Sequence, residues 1–113
     1  MNEQGPSKYR LQFGKRLKAV RSPLMSQEEF AEKMELEGGQ SFISKVERGE
    51  RMLSMENVIR AADVLGVHPA ILLSDEELTD DQLETVINLF KIFNKGTRSQ
   101  FEAIRDLLRT YAA

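Results

Sequence analysis

Residues 26–49 decide the fold of this chain and read SQEEFAEKMELEGGQSFISKVERG. Ser26 followed by Glu29 is a capping box, because the hydroxyl and the carboxylate can satisfy free backbone groups at the start of a helix. The apolar residues that follow have helical spacing, until Gly38 and Gly39 interrupt the pattern. The stretch therefore predicts a helix that opens at Ser26, a glycine-containing turn and then a second, shorter helix.

The shorter helix is predicted to run from about Gln40 to Arg48, with Gly49 as its C-terminal stop. Ile43 and Val46 are apolar and three residues apart, so we expect them to anchor this helix in the core. The opposite face carries only polar side chains, namely Gln40, Ser41, Ser44 and Lys45. Such a face is either a solvated surface or a surface that binds a polar partner.

Turn and capping residues on both sides of these two helices predict only further helices, because no run of alternating β-branched residues indicates a strand. The other helices are expected at residues 8–21 (stopped by Pro23), between Ser54 and Gly66, at 70–73, from 79 to about 94, and from 97 to about 111. The last two open with the capping boxes Thr79–Gln82 and Thr97–Gln100. Residues 74–81 are polar and acidic, and they form either a linker or the start of a helix.

Composition limits the classes of function that are open to the chain. It has 113 residues, a formal net charge of −2, no Cys and one His. Disulfides and cysteine-based zinc sites are excluded, and one His cannot form a His-based metal site alone, so we expect no metal and no other cofactor. The N-terminus lacks an apolar signal core, and no run approaches the roughly 18 apolar residues of a membrane span. We expect a soluble, cytoplasmic protein that makes no membrane contact.

The distribution of charge is more informative than its sum. Six Lys and Arg residues and no acidic residue lie between Gln4 and Gln27. Affinity for phosphate depends on local positive potential and not on the net charge of the whole protein. This segment is therefore either a solvated helix face or part of a surface that binds nucleic acid.

Several motifs at set separations resemble the phage-repressor-like family of helix-turn-helix proteins, also called xenobiotic-response-element-like. They are SQEEFA at 26–31, ISKVERG at 43–49 and LGV at 65–67, preceded by Gly14, Leu17 and Arg21. The resemblance covers about residues 8–74 and implies a five-helix, lambda-repressor-like DNA-binding domain whose third helix lies in the major groove. We therefore expect an all-α fold, with this domain at 8–74 and an appended C-terminal two-helix hairpin at 79–112.

The resemblance also implies roles for individual residues. The polar face of the third helix is expected to contact bases, because Gln can pair with adenine, Lys can reach guanine and Ser suits either. Gln27, at the start of the second helix, is expected to meet a DNA phosphate. Arg21 and Glu47 are expected to form an ion pair that ties the first helix to the third. Further contacts to the DNA backbone are expected from Arg51 and, with solvated side chains as the alternative, from Arg10, Lys15 and Arg16.

The turn at residues 35–39 departs from the family pattern, because it is about two residues longer than the usual tight turn. The register of the third helix is therefore open by one residue. Phe42 is the residue most affected by this shift. Its ring either contacts a thymine methyl group or folds back onto the protein.

The C-terminal hairpin carries more apolar side chains than one interface between two helices would cover. We expect the surplus to meet a second copy of the chain, with packing on the same chain as the alternative. Repressor-type domains usually bind palindromic sites as dimers. The residues expected to form this dimer interface are Leu83, Ile87, Phe90, Phe93, Phe101, Ile104, Leu108 and Tyr111.

The leading hypothesis for function is a sequence-specific transcription regulator, more specifically a repressor, that binds double-stranded DNA as a homodimer. A second hypothesis is the antitoxin of a toxin–antitoxin pair, which would use its tail to hold a protein partner. A third is an interaction module that has kept the fold and lost its DNA contacts. An enzyme is not expected, because the sequence has no Gly-rich phosphate loop and no carboxylate pair framed by a pocket.

Overall fold

The computed structural model describes residues 8–74 and 77–112, and every regular element within these ranges is an α-helix. In chain order the helices are α1 (Lys8–Arg21), α2 (Gln27–Met34), α3 (Gly39–Glu47), α4 (Met55–Leu65), α5 (Pro69–Leu73), α6 (Asp80–Lys95) and α7 (Arg98–Ala112). The predicted all-α fold class, with five helices followed by two more, is confirmed. No helix within these ranges combines the length and the apolar character needed to cross a bilayer.

Side-chain caps explain where these helices begin. Ser26 Oγ accepts a hydrogen bond from the backbone N–H of Glu29 over 3.0 Å, which sets the start of α2. α6 begins with a complete capping box, in which Thr79 and Gln82 each accept a hydrogen bond from the other's backbone N–H. A cap of this kind typically contributes about 1 kcal/mol, because it satisfies a backbone donor that the helix itself leaves free.

The chain turns from α2 into α3 through three residues with positive φ, the last of which is the first residue of α3. Glu35 has φ 52°, Gly38 has φ 92° and Gly39 has φ 57°. Glycine adopts such angles without steric cost, whereas Glu35 is held there as the residue that ends α2, with its N–H directed at the last carbonyls of that helix. α3 begins at Gly39, one residue before the position expected from the sequence.

The core of the first five helices is formed by eight large side chains that are fully buried. They are Phe30, Leu17, Met34, Ile43, Ile71, Leu72, Val46 and Val58. Burial of each such side chain is worth roughly 1.5–3 kcal/mol. α3 contributes two of them, which are the two residues that its sequence pattern predicted as anchors.

The contact between α1 and α3 depends on a glycine. A Cβ atom added at Gly14 would lie 2.6 Å from the carbonyl oxygen of Glu47 and 2.5 Å from that of Val46. Real side chains do not approach backbone atoms so closely, so any residue other than glycine would push the two helices apart. The backbone of α3 therefore rests directly on the backbone of α1.

The chain divides into two compact units between Glu77 and Leu78. The first unit contains α1–α5, and we refer to it as the helix-turn-helix unit. The second contains α6 and α7, which contact each other, and we refer to it as the hairpin. The division falls within the acidic stretch at 74–81, of which residues 75 and 76 lie outside the described residues.

Candidate nucleic-acid interface

α3 has one buried face and one exposed face. Its buried residues are Ile43, Val46 and Glu47. All four residues expected to contact bases lie on the other side of the helix: Gln40, Ser41 and Lys45 are exposed, and Ser44 is half-buried. The helix thus presents amide, hydroxyl and ammonium groups to solvent, which are the groups that can read base edges in the major groove.

Arg21 and Glu47 form a buried, two-pronged ion pair between α1 and α3. Arg21 Nε donates to Glu47 Oε2 over 2.6 Å, and Arg21 Nη2 donates to Glu47 Oε1 over 3.1 Å. Arg21 Nη1 donates to the carbonyl oxygen of Met25, just after α1. Because its donors are shared between the third helix and this loop, the guanidinium fixes α3 relative to α1. A buried pair of this kind determines orientation more than it adds stability.

Gln27 connects this ion pair to the exposed face of α3. Gln27 Nε2 donates to Glu47 Oε1 over 2.8 Å, and Gln27 Oε1 accepts a hydrogen bond from Gln40 Nε2 over 2.6 Å. The side chain at the start of α2 is therefore hydrogen-bonded at both ends of its amide group. Glu47 holds the Gln27 amide, and Gln27 in turn orients Gln40, the first side chain of α3 that could reach a base.

The basic residues expected to contact the DNA backbone have different environments. Lys15 and Arg51 are exposed, and Arg10 is half-buried. Arg16 is buried, and its Nη1 donates to the carbonyl oxygen of Ile71 in α5 over 2.7 Å. This burial lowers the pKa of the Arg16 guanidinium. Arg16 is therefore poorly placed for the expected phosphate contact, because its buried guanidinium joins α1 to α5.

Arg48 and Glu50 are two charged residues near the exposed face of α3 that the sequence motifs do not indicate. Arg48 Nε donates to Glu50 Oε2 over 2.6 Å, and Arg48 Nη1 donates to Ser44 Oγ. The position of Arg48 four residues after Ser44 is the signal that could have identified it, because residues i and i+4 lie on the same face of a helix. The hydrogen bond to Glu50 raises the pKa of Arg48.

Phe42 and His68 are placed as parts of the fold. Phe42 is half-buried. A Cβ added at Gly38 would lie 3.1 Å from the Phe42 Cβ atom, so the Phe42 side chain begins close to the turn at Gly38. His68 Nδ1 accepts a hydrogen bond from the backbone N–H of Ala70 over 3.1 Å, which caps α5. Within residues 8–74 and 77–112 no three His, Cys, Asp or Glu side chains are grouped so that they could hold a metal ion.

The residues expected at a dimer interface differ in exposure. Leu83 is buried, at 8% exposure, and is the least available of the set. Ile87, Phe90 and Ile104 are half-buried, whereas Phe101 and Leu108 are exposed. The side chains of Phe93 and Tyr111 lie outside the described part of the chain. Leu107, which was not among the expected residues, is 57% exposed and precedes Leu108 on α7.

Comparisons with known proteins agree with this arrangement. A family model described as Helix-turn-helix matches residues 17–72. The control protein C.BamHI of Bacillus amyloliquefaciens is 38% identical over 66 residues, which are 57% of this chain and 79% of that protein. The crystal structure of the restriction-modification controller protein C.AhdI from Aeromonas hydrophila has 34% sequence identity and a TM-score of 0.51, and the match covers 56% of this chain and 90% of that one. The resemblance inferred from the motifs is confirmed for the helix-turn-helix unit.

Proposed function

Because the chain belongs to the phage-repressor-like family of helix-turn-helix proteins, which are DNA-binding regulators, we propose that it binds a palindromic operator as a homodimer and represses transcription. The observation that carries the proposal is the exposed polar face of α3, fixed from behind by Gly14 and by the Arg21–Glu47 ion pair. Such a regulator acts where the chromosome is, so its proposed location is the cytoplasm of a bacterial cell.

Direct reading of bases is assigned to Gln40, Ser41, Ser44 and Lys45. The hydrogen bond from Gln40 to Gln27 supports this assignment, because it holds the amide of Gln40 in one orientation before DNA arrives. Gln27 itself is proposed to lie against a phosphate at the N-terminus of α2, where free backbone N–H groups favour an anion. Lys15, Arg10 and Arg51 are proposed as further phosphate contacts.

Selection of bound sequences from a random duplex pool is the experiment that tests this function. We expect an enriched palindrome whose half-sites are centred one helical turn apart, about 34 Å. Binding should weaken steeply as the salt concentration rises, because phosphate contacts release counterions. An interaction module without DNA contacts would instead give no enriched sequence and no salt-sensitive binding to any duplex. The role named for C.AhdI, a restriction-modification controller protein, makes the control regions of restriction–modification genes the first natural operators to examine.

Single substitutions separate base reading from backbone binding. Gln40→Ala and Lys45→Ala should each cost about 1–3 kcal/mol against the selected site and little against random DNA. Gln27→Ala should weaken binding to both duplexes, because phosphates are the same in every sequence, and should weaken operator binding further, because it frees the amide of Gln40. Lys91→Ala on α6 is the control for loss of one exposed lysine and should change neither affinity. Unaltered site preference in Gln40→Ala would show that the reading face has been assigned in the wrong register.

The dimer is proposed to form through the exposed apolar face of α7. Leu107 and Leu108 are 57% and 49% exposed, and Ile104, one turn before Leu108, is half-buried. Adjacent exposed leucines next to a half-buried isoleucine form a patch that a single copy leaves in contact with water. A second copy would cover this patch and place two recognition helices on one operator.

Sedimentation of the full chain tests the dimer interface. The double variant Leu107→Lys/Leu108→Lys should sediment as a monomer, whereas the unaltered protein should sediment as a dimer. Leu24→Lys is the matched control, because Leu24 is 56% exposed but belongs to the helix-turn-helix unit. A double variant that remains dimeric contradicts the proposed interface. Co-purification of a second protein that the double variant releases would instead favour the antitoxin hypothesis.

A further inference from the structure

Arg48, at the C-terminal end of α3, is held between two side chains. Its Nε donates to Glu50 Oε2 over 2.6 Å, and its Nη1 donates to Ser44 Oγ on the exposed face of the helix. The Arg48 and Glu50 side chains are 54% and 49% exposed, so the arrangement lies at the surface and not in the core. We refer to Ser44, Arg48 and Glu50 together as the clasp.

Glu50 is an acidic residue within a group of cations. Its carboxyl group interacts electrostatically with Lys45 and Arg51 as well as with Arg48, and the hydrogen bond from Arg48 is the main reason why the pKa of Glu50 is lowered. Glu50 is therefore ionised at neutral pH. Its backbone N–H donates to the carbonyl oxygen of Lys45 over 2.9 Å, which fixes the residue to the last turn of α3.

Stability does not account for the clasp. An exposed ion pair contributes little to stability, since water screens the charges and two long side chains lose conformational freedom. A carboxylate at this position also opposes the affinity for DNA, because it cancels part of the positive potential that attracts phosphates. The position of Glu50 is therefore unfavourable for binding to DNA in general.

We propose that Glu50 determines specificity: it holds Arg48 against Ser44 and weakens binding to arbitrary DNA more than it weakens binding to the operator. This inference rests on the proposed DNA-binding function. On arbitrary DNA the protein relies on phosphate contacts, and the Glu50 carboxylate repels these phosphates without a compensating contact from Arg48. On the operator the clasp presents Arg48 in a fixed position beside the reading face, so the guanidinium loses less freedom when it binds a base or a nearby phosphate. On the operator, this smaller loss of freedom offsets the repulsion between the Glu50 carboxylate and the phosphates.

The test compares the full-length unaltered protein with Glu50→Gln on two duplexes, the selected operator and a scrambled sequence of equal length. Dissociation constants are measured at pH 7 at several salt concentrations. Glu50→Gln should bind the scrambled duplex about fivefold more tightly, with a salt slope steeper by about one phosphate contact, whereas operator affinity should change by less than about twofold. Glu102→Gln removes the acid of another exposed Arg–Glu pair, on α7, and should leave both affinities unchanged.

A second comparison tests whether Glu50 acts through Arg48. In an Arg48→Ala background the position of the guanidinium no longer matters, so Glu50→Gln should then strengthen binding to both duplexes by the same factor. Equal gains on both duplexes in the presence of Arg48, or no gain on the scrambled duplex, would overturn the inference. Absence of salt-sensitive binding by the unaltered protein would overturn the proposed function itself, which is a distinguishable result.

Discussion

Helix α3 and the hairpin helices α6 and α7 are stabilised in opposite ways. α3 has nine residues, and its N-cap residue, Gly38, makes no side-chain hydrogen bond to it. α6 and α7 have 16 and 15 residues, and reciprocal hydrogen bonds of Thr79 with Gln82 and of Thr97 with Gln100 define their starts. An isolated helix of nine residues is marginal in water, so α3 depends on its tertiary contacts.

Burial differs in the same direction. The helix-turn-helix unit contains all eight large side chains that are fully buried, whereas among the described side chains of α6 and α7 only Leu83 is buried. Capping side chains thus mark the starts of the hairpin helices without giving them a core, whereas α3 has no capping side chain at its start and depends on its buried face.

The largest effect that would test this contrast is expected from Glu47→Ala. The substitution leaves the buried guanidinium of Arg21 without its partner and also removes a hydrogen bond from Gln27. We expect a loss of about 3–5 kcal/mol in the free energy of unfolding, measured by denaturant titration. Glu102→Ala breaks the exposed pair with Arg98 on α7 and should cost less than about 1 kcal/mol. If both variants lost a similar free energy of unfolding, α3 would not depend on its buried ion pair more than α7 depends on its exposed one.

A smaller effect is expected from Gly14→Ala. The added methyl group would collide with the backbone of α3, and overpacking of this kind costs about 1–3 kcal/mol. Operator affinity should fall even under conditions in which the protein remains folded, because the reading face is displaced from its position. Ala19→Ser leaves the charge unchanged and lies on an exposed position of the same helix, so it serves as the control. Gly14→Ala with unaltered stability and operator binding would mean that α3 does not rest on α1 as described.

The smallest effects are expected from the helix caps, one in each unit. Ser54→Ala removes the cap of α4, and Thr79→Ala removes half of the capping box of α6; each should cost about 1 kcal/mol. Hydrogen exchange, resolved residue by residue, should show faster exchange in the helix-turn-helix unit for Ser54→Ala and in the hairpin for Thr79→Ala. Acceleration throughout the chain in both variants would show that the two units unfold together.

Features encoded within a few residues were predictable from the sequence. The capping residues Ser26, Ser54 and Thr79 gave the starts of α2, α4 and α6, since a cap and its helix are neighbours in the chain. The start of α3 was predictable only to within one residue, because no capping side chain marks it and the turn before it depends on the φ angles of Glu35 and Gly38.

The polar partners within the candidate site were less predictable. Arg16 has the same charge as its neighbours in the basic segment, and only the approach of α5 decides that it turns inward. Gln27 on α2 is bonded to both Glu47 and Gln40 on α3, and sequence spacing contains no information on such distances between helices. A long polar side chain has many possible partners, and the tertiary fold selects among them.

The close contact at Gly14 also has a consequence for engineering. α3 rests on α1 through the carbonyl groups of Val46 and Glu47, so this contact does not depend on the identity of the side chains on the opposite face. Residues 40, 41, 44 and 45 can then be exchanged as a set while the backbone keeps its position. A library randomised at these four positions, with Gly14 retained, should yield folded variants that read different operators, and the chain would serve as a scaffold for reprogrammed DNA recognition.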